Sequence, residues 1–247
     1  MKCVREPTNY SGLRTRWTEW TLTRCESRRY KVSAKMLTFD SREDWLKGRT
    51  RIGGSDAAAI LGLNPYTDNQ KLWAIKTGKA KAEDISDKPY VIYGTNAEAP
   101  LRELFALDFP EYQVGYKENN LFVNDKHPYA HASLDGWLKD QDGKMGVLEI
   151  KTTEILKSMQ KEKWNDKVPD NYYIQLIHNM MVTEFDFAIL KAQLKYSYNN
   201  DVFLHTRHYR IDRDDVLEDI ELLSSKESEF WKYIKSDTKP PLVLPQI

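Results

Sequence analysis

The sequence predicts an α/β (α+β) domain in which a central mixed β-sheet is flanked by helices. Helical patterns occupy the first part of the domain, and alternating apolar runs typical of strands follow from Tyr112 onward. One helix then separates two groups of strands, and an amphipathic helix closes the domain. This order of helices, strands, helix, strands and helix is typical of a sheet that buries its faces under helices.

Charge and composition divide the 247-residue chain at Met36. Residues 1–35 carry nine lysines and arginines against three acidic residues, a formal charge of +6, and the remainder carries −6. We therefore expect residues 1–35 to be a poorly ordered basic N-terminal extension, with a basic arm along a DNA backbone as the alternative. Residues 36–247 are predicted to form the folded domain. Because this domain is acidic, contact with DNA has to be local or assisted by metal ions.

Cysteine usage and hydropathy exclude several classes of protein. The only cysteines, Cys3 and Cys25, lie in the extension, which argues against a disulfide scaffold or a cysteine-ligated metal site in the domain. The five histidines are scattered and predict no zinc site. No apolar run approaches the length of a membrane span, and the first residues lack the apolar region of a signal peptide. We therefore expect a cytoplasmic protein without a membrane partner.

Three short helices are predicted at the start of the domain, each beginning at a residue whose side chain can cap a helix. The predicted N-cap residues are Ser41, Ser55 and Thr67. The second helix covers Asp56–Leu61, and Gly62 ends it. The second and third helices together predict a helical hairpin.

The N-terminus of the second helix is a candidate anion site. Its free backbone N–H groups and the positive end of the helix dipole attract phosphate. Arg49 and Arg51 precede the helix closely, and Ser55 adds a hydroxyl group. A helix start alone carries little weight, but an arginine and a serine beside it make a phosphate a reasonable ligand.

The next helix is predicted around Pro100, where leucine and phenylalanine follow at helical spacing. Because proline lacks an N–H group and clashes with the preceding turn, we expect a kink or a new helix start near Ala99. Glu98 lies beside this break. Such a glutamate is usually solvated, but it could also face the neighbouring strands as an outer metal ligand.

A β-hairpin is predicted in the middle of the chain. Its strands are Ala132–Leu138 and Met145–Thr153, joined by an Asp-Gln-Asp-Gly cluster suited to a turn. If the hairpin is centred on Asp142, then Asp135 lies opposite Glu149. Side chains alternate between the two faces of a strand, so this register predicts two facing carboxylates.

The hairpin carries a candidate metal-dependent active site. Two facing carboxylates repel each other unless a cation lies between them, and Lys151 shares the face of Glu149. Asp135 and Glu149 as hard oxygen ligands, with an ammonium group near an attacking water, are the minimum set for a Mg²⁺-dependent phosphodiesterase. The alternative is an exposed strand face beside an ordinary Asp-Gly turn. Leu148 and Ile150 point to the opposite face, as expected for a strand buried behind a site.

The remaining elements are predicted from periodicity alone. They are strands at Tyr112–Tyr116, Asn120–Val123, Phe185–Lys195 and Val202–Ile211, and helices at Ile155–Trp164, at Asn171–Val182 and from about Asp212. Gln175 is a polar side chain on a partly apolar face of the helix that contains it. It is either a hydrogen-bonded core glutamine or a ligand of the attacking water or a phosphate.

Four blocks of the sequence resemble the YqaJ-like viral recombinase family, the group that contains phage lambda exonuclease, and occur in the family's order. The blocks are RTRIGGSDAAAILG, YGTNAEAPL, HASLDGW with VLEIK, and NYYIQLIHNMMV, which together span roughly 36–182. Four ordered blocks are far more specific than an isolated D…ExK pattern. The resemblance implies a PD-(D/E)xK restriction-endonuclease-like core and identifies residues 36–247 as a YqaJ-like exonuclease domain.

The resemblance also implies roles for individual residues of the candidate metal site. Asp135 and Glu149 would ligate Mg²⁺, for which Mn²⁺ would substitute, together with the backbone carbonyl of Ile150. Lys151 would position or activate the attacking water. Gln175 would take the place of the family's helix glutamine.

Further residues are assigned by the same resemblance. Glu98 would take the place of the family's helix glutamate near the metal ions. Arg49 would bind the 5′-phosphate of a DNA end, with Ser55 and Ser133 as its partners. Arg51 is the alternative if the register slips by two residues.

The activity implied is 5′→3′ digestion of one strand of linear double-stranded DNA, which leaves a 3′ single-stranded tail. The family also implies a homotrimer around DNA and a phage or prophage single-strand annealing partner. Two rivals remain open: a structure- or site-specific endonuclease on the same fold, and a non-catalytic DNA-end-binding module. One departure from the family is Ile177, which stands where relatives often carry a second glutamine.

Overall fold

Two β-sheets form the framework of the described part of the chain. The computed structural model describes residues 34–155, 162–164, 167–198 and 201–244. The strands are β1 (Ala34–Thr38), β2 (Gln113–Gly115), β3 (Asn120–Asn124), β4 (His131–Ala132), β5 (Gly136–Lys139), β6 (Met145–Glu154), β7 (Phe187–Tyr198) and β8 (Asp201–Asp212). The helices are α1 (Arg42–Gly48), α2 (Gly54–Ile60), α3 (Asn69–Lys76), α4 (Pro89–Asp108), α5 (Asp170–Thr183) and α6 (Leu217–Lys235), the last preceded by a 3₁₀ turn at Arg213–Val216.

The larger sheet is mixed, as predicted. Its strand order is β2-β5-β6-β7-β8, in which β6 and β7 run parallel and all other neighbours run antiparallel. The smaller sheet is antiparallel, with the order β1-β3-β4. Because parallel strands need a crossover connection, α5 lies between β6 and β7 in the chain. The predicted α/β class with a central mixed sheet flanked by helices is confirmed.

The larger sheet has a hydrophobic core on each face. Period-two alternation along β6 sends Val147 to the extensive core that includes Leu176 of α5, whereas Leu148 and Ile150 enter a smaller core with Phe105 of α4. The face that carries Glu149 and Lys151 is therefore the face covered by α5. Within the described residues, no helix combines the length and the apolar character that crossing a lipid bilayer requires.

The register of the hairpin is confirmed. Gly136 pairs with Leu148 and Lys139 pairs with Met145, so the two strands are centred on position 142. Gly143 takes a φ of 79° in the connecting turn, a conformation that glycine adopts without strain. Continuing this register past the end of β5 brings Asp135 opposite Glu149, as the sequence predicts.

Two of the three predicted N-caps are wrong. Ser41 caps α1, and its hydroxyl accepts the Asp44 amide. The N-cap of α2 is Gly53, and Ser55 already lies within the helix, because the Asp56 carboxylate reaches back to the Gly53 amide at 2.9 Å.

The third helix also begins at a different residue than predicted. Its N-cap is Asp68 and not Thr67, because the Asp68 carboxylate accepts the Lys71 amide at 2.7 Å. A carboxylate is a strong cap that also interacts favourably with the helix dipole. Gly62 follows α2 with a φ of 72°, and the prediction that it ends this helix is confirmed.

Proline does not divide α4. The helix runs without a break from Pro89 to Asp108 with Pro100 in its interior, so the expected new start near Ala99 is wrong. Pro89 lies in the first turn, where a missing N–H costs nothing and the fixed φ favours a helix.

The predicted strand Ala132–Leu138 is wrong as a single element, because Ala132 belongs to β4 of the smaller sheet and β5 begins at Gly136. The other predicted strands, the α5 helix and the closing helix are confirmed to within a few residues.

Some predictions concern residues outside the described ranges. The expectation of a poorly ordered extension falls on residues 1–33, and β1 already begins at Ala34, two residues before the predicted boundary. Most of the predicted helix Ile155–Trp164 also lies outside the described residues.

Gly146 is predicted to tolerate no side chain. A Cβ atom added there would lie 2.2 Å from Cε2 of Phe187, whose ring is fully buried. We expect Gly146→Ala to lower the free energy of unfolding by about 1–3 kcal/mol, the usual cost of overpacking a core. Urea denaturation measures the change. Leu107→Ala is the control, since Leu107 is 78% exposed and its loss should change stability by about 0.5 kcal/mol at most. Equal stability of the two variants would contradict the packing described.

Candidate active site

A buried carboxylate forms the centre of the candidate active site. Glu149 is only 1% exposed. Its Oε1 atom accepts hydrogen bonds from Nζ of Lys151 and Nε2 of Gln175, both at 2.6 Å. Its Oε2 atom accepts from Nδ2 of Asn179 at 3.0 Å. The carboxylate of Glu149 thus links one face of β6 to one face of α5.

Asp135 lies beside this group, immediately before β5. Its Oδ2 atom accepts the backbone N–H of Ile150 at 2.8 Å, which fixes the carboxylate against β6. Arg102 of α4 donates from Nη1 to the Asp135 carbonyl and, at 3.2 Å, to Oε1 of Glu98. Glu98 therefore reaches the hairpin through Arg102. This contact was not predicted, although the two residues have the i, i+4 spacing of an ion pair.

The pKa values show how much negative charge is concentrated here. Burial, followed by the charge of Asp135, raises the pKa of Glu149 to about 8. The pKa of Glu98 is also raised, again by burial and then by Asp135. Burial alone would lower the pKa of Lys151, but Glu149 and Asp135 outweigh it, so the pKa is raised and the amine stays charged.

The donor set fits a small divalent cation. Asp135, Glu149 and the Ile150 carbonyl offer hard oxygen atoms, and a bound cation would relieve the carboxylate repulsion that raises the pKa of Glu149. In the part of the chain that is described, no group of three His, Cys, Asp or Glu side chains is placed to hold a metal. Mg²⁺ does not need one, because it usually keeps several water ligands and binds through one or two carboxylates.

Arg49 occupies a defined position directly after α1. Its guanidinium group lies 4.4 Å from the centroid of the Trp45 ring. Its Nε atom faces Nε2 of His131 at 3.5 Å. Burial lowers the pKa of Arg49, partly offset by Asp56. Arg49 forms no ion pair with the described residues, so its charge is available to a ligand.

The other predicted phosphate-binding residues are dispersed around Arg49. Ser55 is exposed in the first turn of α2. Arg51 contributes its backbone carbonyl to Lys76, whose Nζ atom donates to it at 2.9 Å. Ser133 has a buried hydroxyl group that finds no hydrogen-bond partner among the described residues. Arg49, Ser55 and Ser133 make no hydrogen bonds with one another in the described part of the chain.

Gly54, which has no side chain, allows α2 to pack closely against α5. A Cβ atom at Gly54 would lie 2.8 Å from Oδ1 of Asn179 and 3.0 Å from Cγ of Gln175. The first turn of α2 therefore packs directly on the two side chains that hold Glu149. Asn179 itself was not predicted as a site residue, although it follows Gln175 by one helical turn and so shares its face.

Comparison with known proteins agrees with this architecture. The model of the YqaJ-like viral recombinase domain matches residues 44–186. The YqaJ protein of Bacillus subtilis (strain 168) is 31% identical over 208 residues, which are 83% of this chain and 60% of that protein. The chain thus spans well under two thirds of the length of this relative.

The structure also resembles a crystallised alkaline exonuclease, LHK-Exo from Laribacter hongkongensis. The TM-score is 0.58 at 19% identity, over 79% of this chain and 93% of that chain. A complex of LHK-Exo with dAMP gives a TM-score of 0.59 at 18% identity, with the same coverage. The fold is therefore that of the PD-(D/E)xK nucleases. The chain belongs to the YqaJ-like viral recombinase family.

The raised pKa of Glu149 predicts a pH-dependent stability in the absence of metal. The ordinary pKa of a glutamate is 4.5, whereas that of Glu149 is raised to about 8. Its contribution to stability is therefore complete below pH 4.5 and is lost as the pH rises through 8. Glu149→Gln cannot lose this proton, so it should gain stability relative to the wild type as the pH is raised. Urea denaturation in EDTA at about pH 5 and about pH 8 measures this difference.

A matched control removes a carboxylate elsewhere. Glu103→Gln changes an exposed side chain of α4 in the same way. If Glu149→Gln differs from the wild type by the same free energy at both pH values, Glu149 does not have the raised pKa described.

Proposed function

We propose that this protein is a Mg²⁺-dependent 5′→3′ exonuclease that digests one strand of linear double-stranded DNA and leaves a 3′ single-stranded tail. The observation that carries the proposal is the arrangement of Asp135, Glu149 and Lys151 on one face of the hairpin, in a chain of the YqaJ-like viral recombinase family. The likeness of the fold to an alkaline exonuclease supports the same reaction class.

The residues of the chain have distinct tasks in this proposal. Lys151 stays protonated, so it orients the attacking water and stabilises charge on the phosphate, and it does not remove a proton. Gln175 and Asn179 fix the orientation of Glu149, and the Ile150 amide does the same for Asp135. The metal ion, when bound, would lower the pKa of a ligated water and neutralise developing negative charge.

The 5′ end of the DNA is proposed to bind at Arg49, with Ser55 and Ser133 as partners. Arg49 is favoured over Arg51 because its guanidinium group is held between Trp45 and His131 and lacks an ionic partner among the described residues. The hydroxyl of Ser133 is buried and has no hydrogen-bond partner among the described residues, and it lies two residues before Asp135, so a phosphate bound there would be close to the metal ligands.

The assembly is proposed on the family resemblance alone. It comprises a homotrimer around the DNA, a single-strand annealing protein of a phage or prophage as the partner, a cytoplasmic location, and Mn²⁺ as a substitute for Mg²⁺. Glu98 is proposed to lie near the metal ions as an outer ligand, in keeping with its link through Arg102 to Asp135.

The nuclease proposal is tested with end-labelled DNA and Lys151→Ala. The wild type should digest linear duplex from its 5′ ends with Mg²⁺, stop in EDTA, and leave closed circles intact. Lys151→Ala should lose about 100- to 1,000-fold in rate, the range for one preorganised charge-stabilising group, while it still binds DNA ends. Lys226→Ala is the control, since Lys226 is half exposed on α6 and far from the hairpin in the sequence.

The possible results separate the alternatives. Cutting of closed circles would identify an endonuclease instead, and DNA-end binding without any digestion would identify a binding module. Full activity of Lys151→Ala would remove the proposed role of this lysine.

Arg49 is predicted to set the preference for phosphorylated ends. Arg49→Ala should digest 5′-phosphorylated and 5′-hydroxyl duplexes at nearly equal rates, because the group that recognises the phosphate is gone. Arg51→Ala is the matched variant and should keep the wild-type preference. The ratio of the two initial rates is the measured quantity. Loss of the preference in Arg51→Ala alone would transfer the role to Arg51.

A further inference from the structure

A buried polar cluster behind α5 has no part in the reaction proposed above. The imidazole of His178 is fully buried, and its Nδ1 atom lies 2.7 Å from Oε1 of Glu227, which is also fully buried. Its Nε2 atom lies 2.8 Å from the backbone carbonyl of His131. The cluster thus joins α5, α6 and β4, three elements that are distant in the sequence.

The hydrogen bonds fix where the protons lie. A carbonyl can only accept, so Nε2 of His178 carries a proton. The contact between Nδ1 and Glu227 then needs one more proton, which the pair shares. Burial opposes charge on His178, but Glu227 and the His131 carbonyl outweigh it and raise the pKa of His178. Both ring nitrogens are engaged, so the ring cannot turn without breaking a buried hydrogen bond.

The same histidine adjoins the site that holds the metal ligands. His178 directly precedes Asn179 and follows Gln175 by three residues, which places it at the edge of the α5 face that binds Glu149. A Cβ atom at Gly54 would lie 3.5 Å from Cδ2 of His178. The ring therefore lies beside the contact that Gly54 of α2 makes with α5.

His131 extends the cluster to the proposed phosphate-binding region. Burial, followed by the charge of Arg49, lowers the pKa of His131 to about 2, so the ring is neutral. Arg49 can only donate, so Nε2 of His131 is the acceptor and Nδ1 carries the proton. The backbone of the same residue accepts from His178. The backbone of His131 is therefore held by His178 as well as by the Ile52 carbonyl and by pairing with Val123.

We propose that His178, held by Glu227, is a positioning residue that fixes the metal-binding residues and the 5′-phosphate-binding residues at the correct positions relative to one another. Through α5 it orients Gln175 and Asn179, and through the His131 carbonyl it sets the position of Arg49. Apolar residues of the same volume could replace the buried pair without loss of stability, but they would leave the His131 carbonyl without its donor. The inference rests on the proposed nuclease function.

Two substitutions of Glu227 separate hydrogen bonding from mere packing. In Glu227→Gln, the amide can donate to Nδ1 of a neutral His178, so both hydrogen bonds of the ring are kept. Glu227→Met has a similar volume but offers no hydrogen bond, so Nδ1 of His178 loses its partner and the His131 carbonyl alone orients the ring. Rates on 5′-phosphorylated and 5′-hydroxyl duplex are measured for both variants, and their folding is checked by circular dichroism.

The expected result is a difference between the two variants. Glu227→Met should lose about 10- to 100-fold in rate on phosphorylated ends, as for other residues that orient a ligand, and should lose most of its preference for them. Glu227→Gln should retain both properties. A purely structural role would change the melting temperature without changing the ratio of rates. The inference is overturned if Glu227→Met keeps the wild-type rate and preference, or if both variants lose them equally.

If Glu227→Met does not fold, imidazole ¹⁵N NMR tests the positioning role of His178 instead. The Nε2 resonance of His178 should report a bound proton in the wild type and in Glu227→Gln, and should shift when 5′-phosphorylated duplex is added with Ca²⁺ to prevent cleavage. A resonance that does not respond to the duplex overturns the inference. A wild type that digests no DNA in the rate assay refutes the nuclease proposal instead, so the two failures are distinguishable.

Discussion

The buried carboxylate of Glu149 is the group on which the rest of the site depends. A carboxylate that is 1% exposed is tolerated only when its oxygens are hydrogen bonded or paired with charge. Lys151 from the same strand and Gln175 and Asn179 from α5 meet this requirement. Their contacts fix the rotation of α5 on the sheet. Because Gly54 packs on the same two α5 side chains, the position of α2 follows from the need to satisfy one acid.

The part of the site within the hairpin could be predicted from the sequence. The alternation of side chains is strictly periodic, and a turn containing Gly143 sets the centre of the two strands, so the placement of Asp135 near Glu149 follows from local information. The same holds for the buried face formed by Leu148 and Ile150. The fold class was predictable for a similar reason, since it requires only the order and the type of the elements.

The contacts between elements could not be predicted in this way. Asn179, Arg102 and the pair of His178 and Glu227 acquire their roles from helices and strands that are distant in the sequence, and no local pattern specifies such partners. The incorrect N-caps have a different cause, because several neighbouring polar residues compete to cap a helix. At α2 the capping hydrogen bond comes from Asp56, a residue inside the helix whose carboxylate accepts the backbone N–H of Gly53.

The parallel pairing of β6 with β7 has a consequence for the order of folding. Lys139 and Met145 of the hairpin are close in the sequence, whereas Gly146 of β6 pairs with Phe187 of β7 only after the chain has passed through α5. Closing such a long loop loses conformational entropy of the chain before the contacts between the two strands can form. Asp135 and Glu149 should thus face each other early, while the donors of α5 arrive late. During this interval the side chains of Asp135 and Glu149 are still hydrated. They become buried only when the hydrogen-bond donors of α5 are in place.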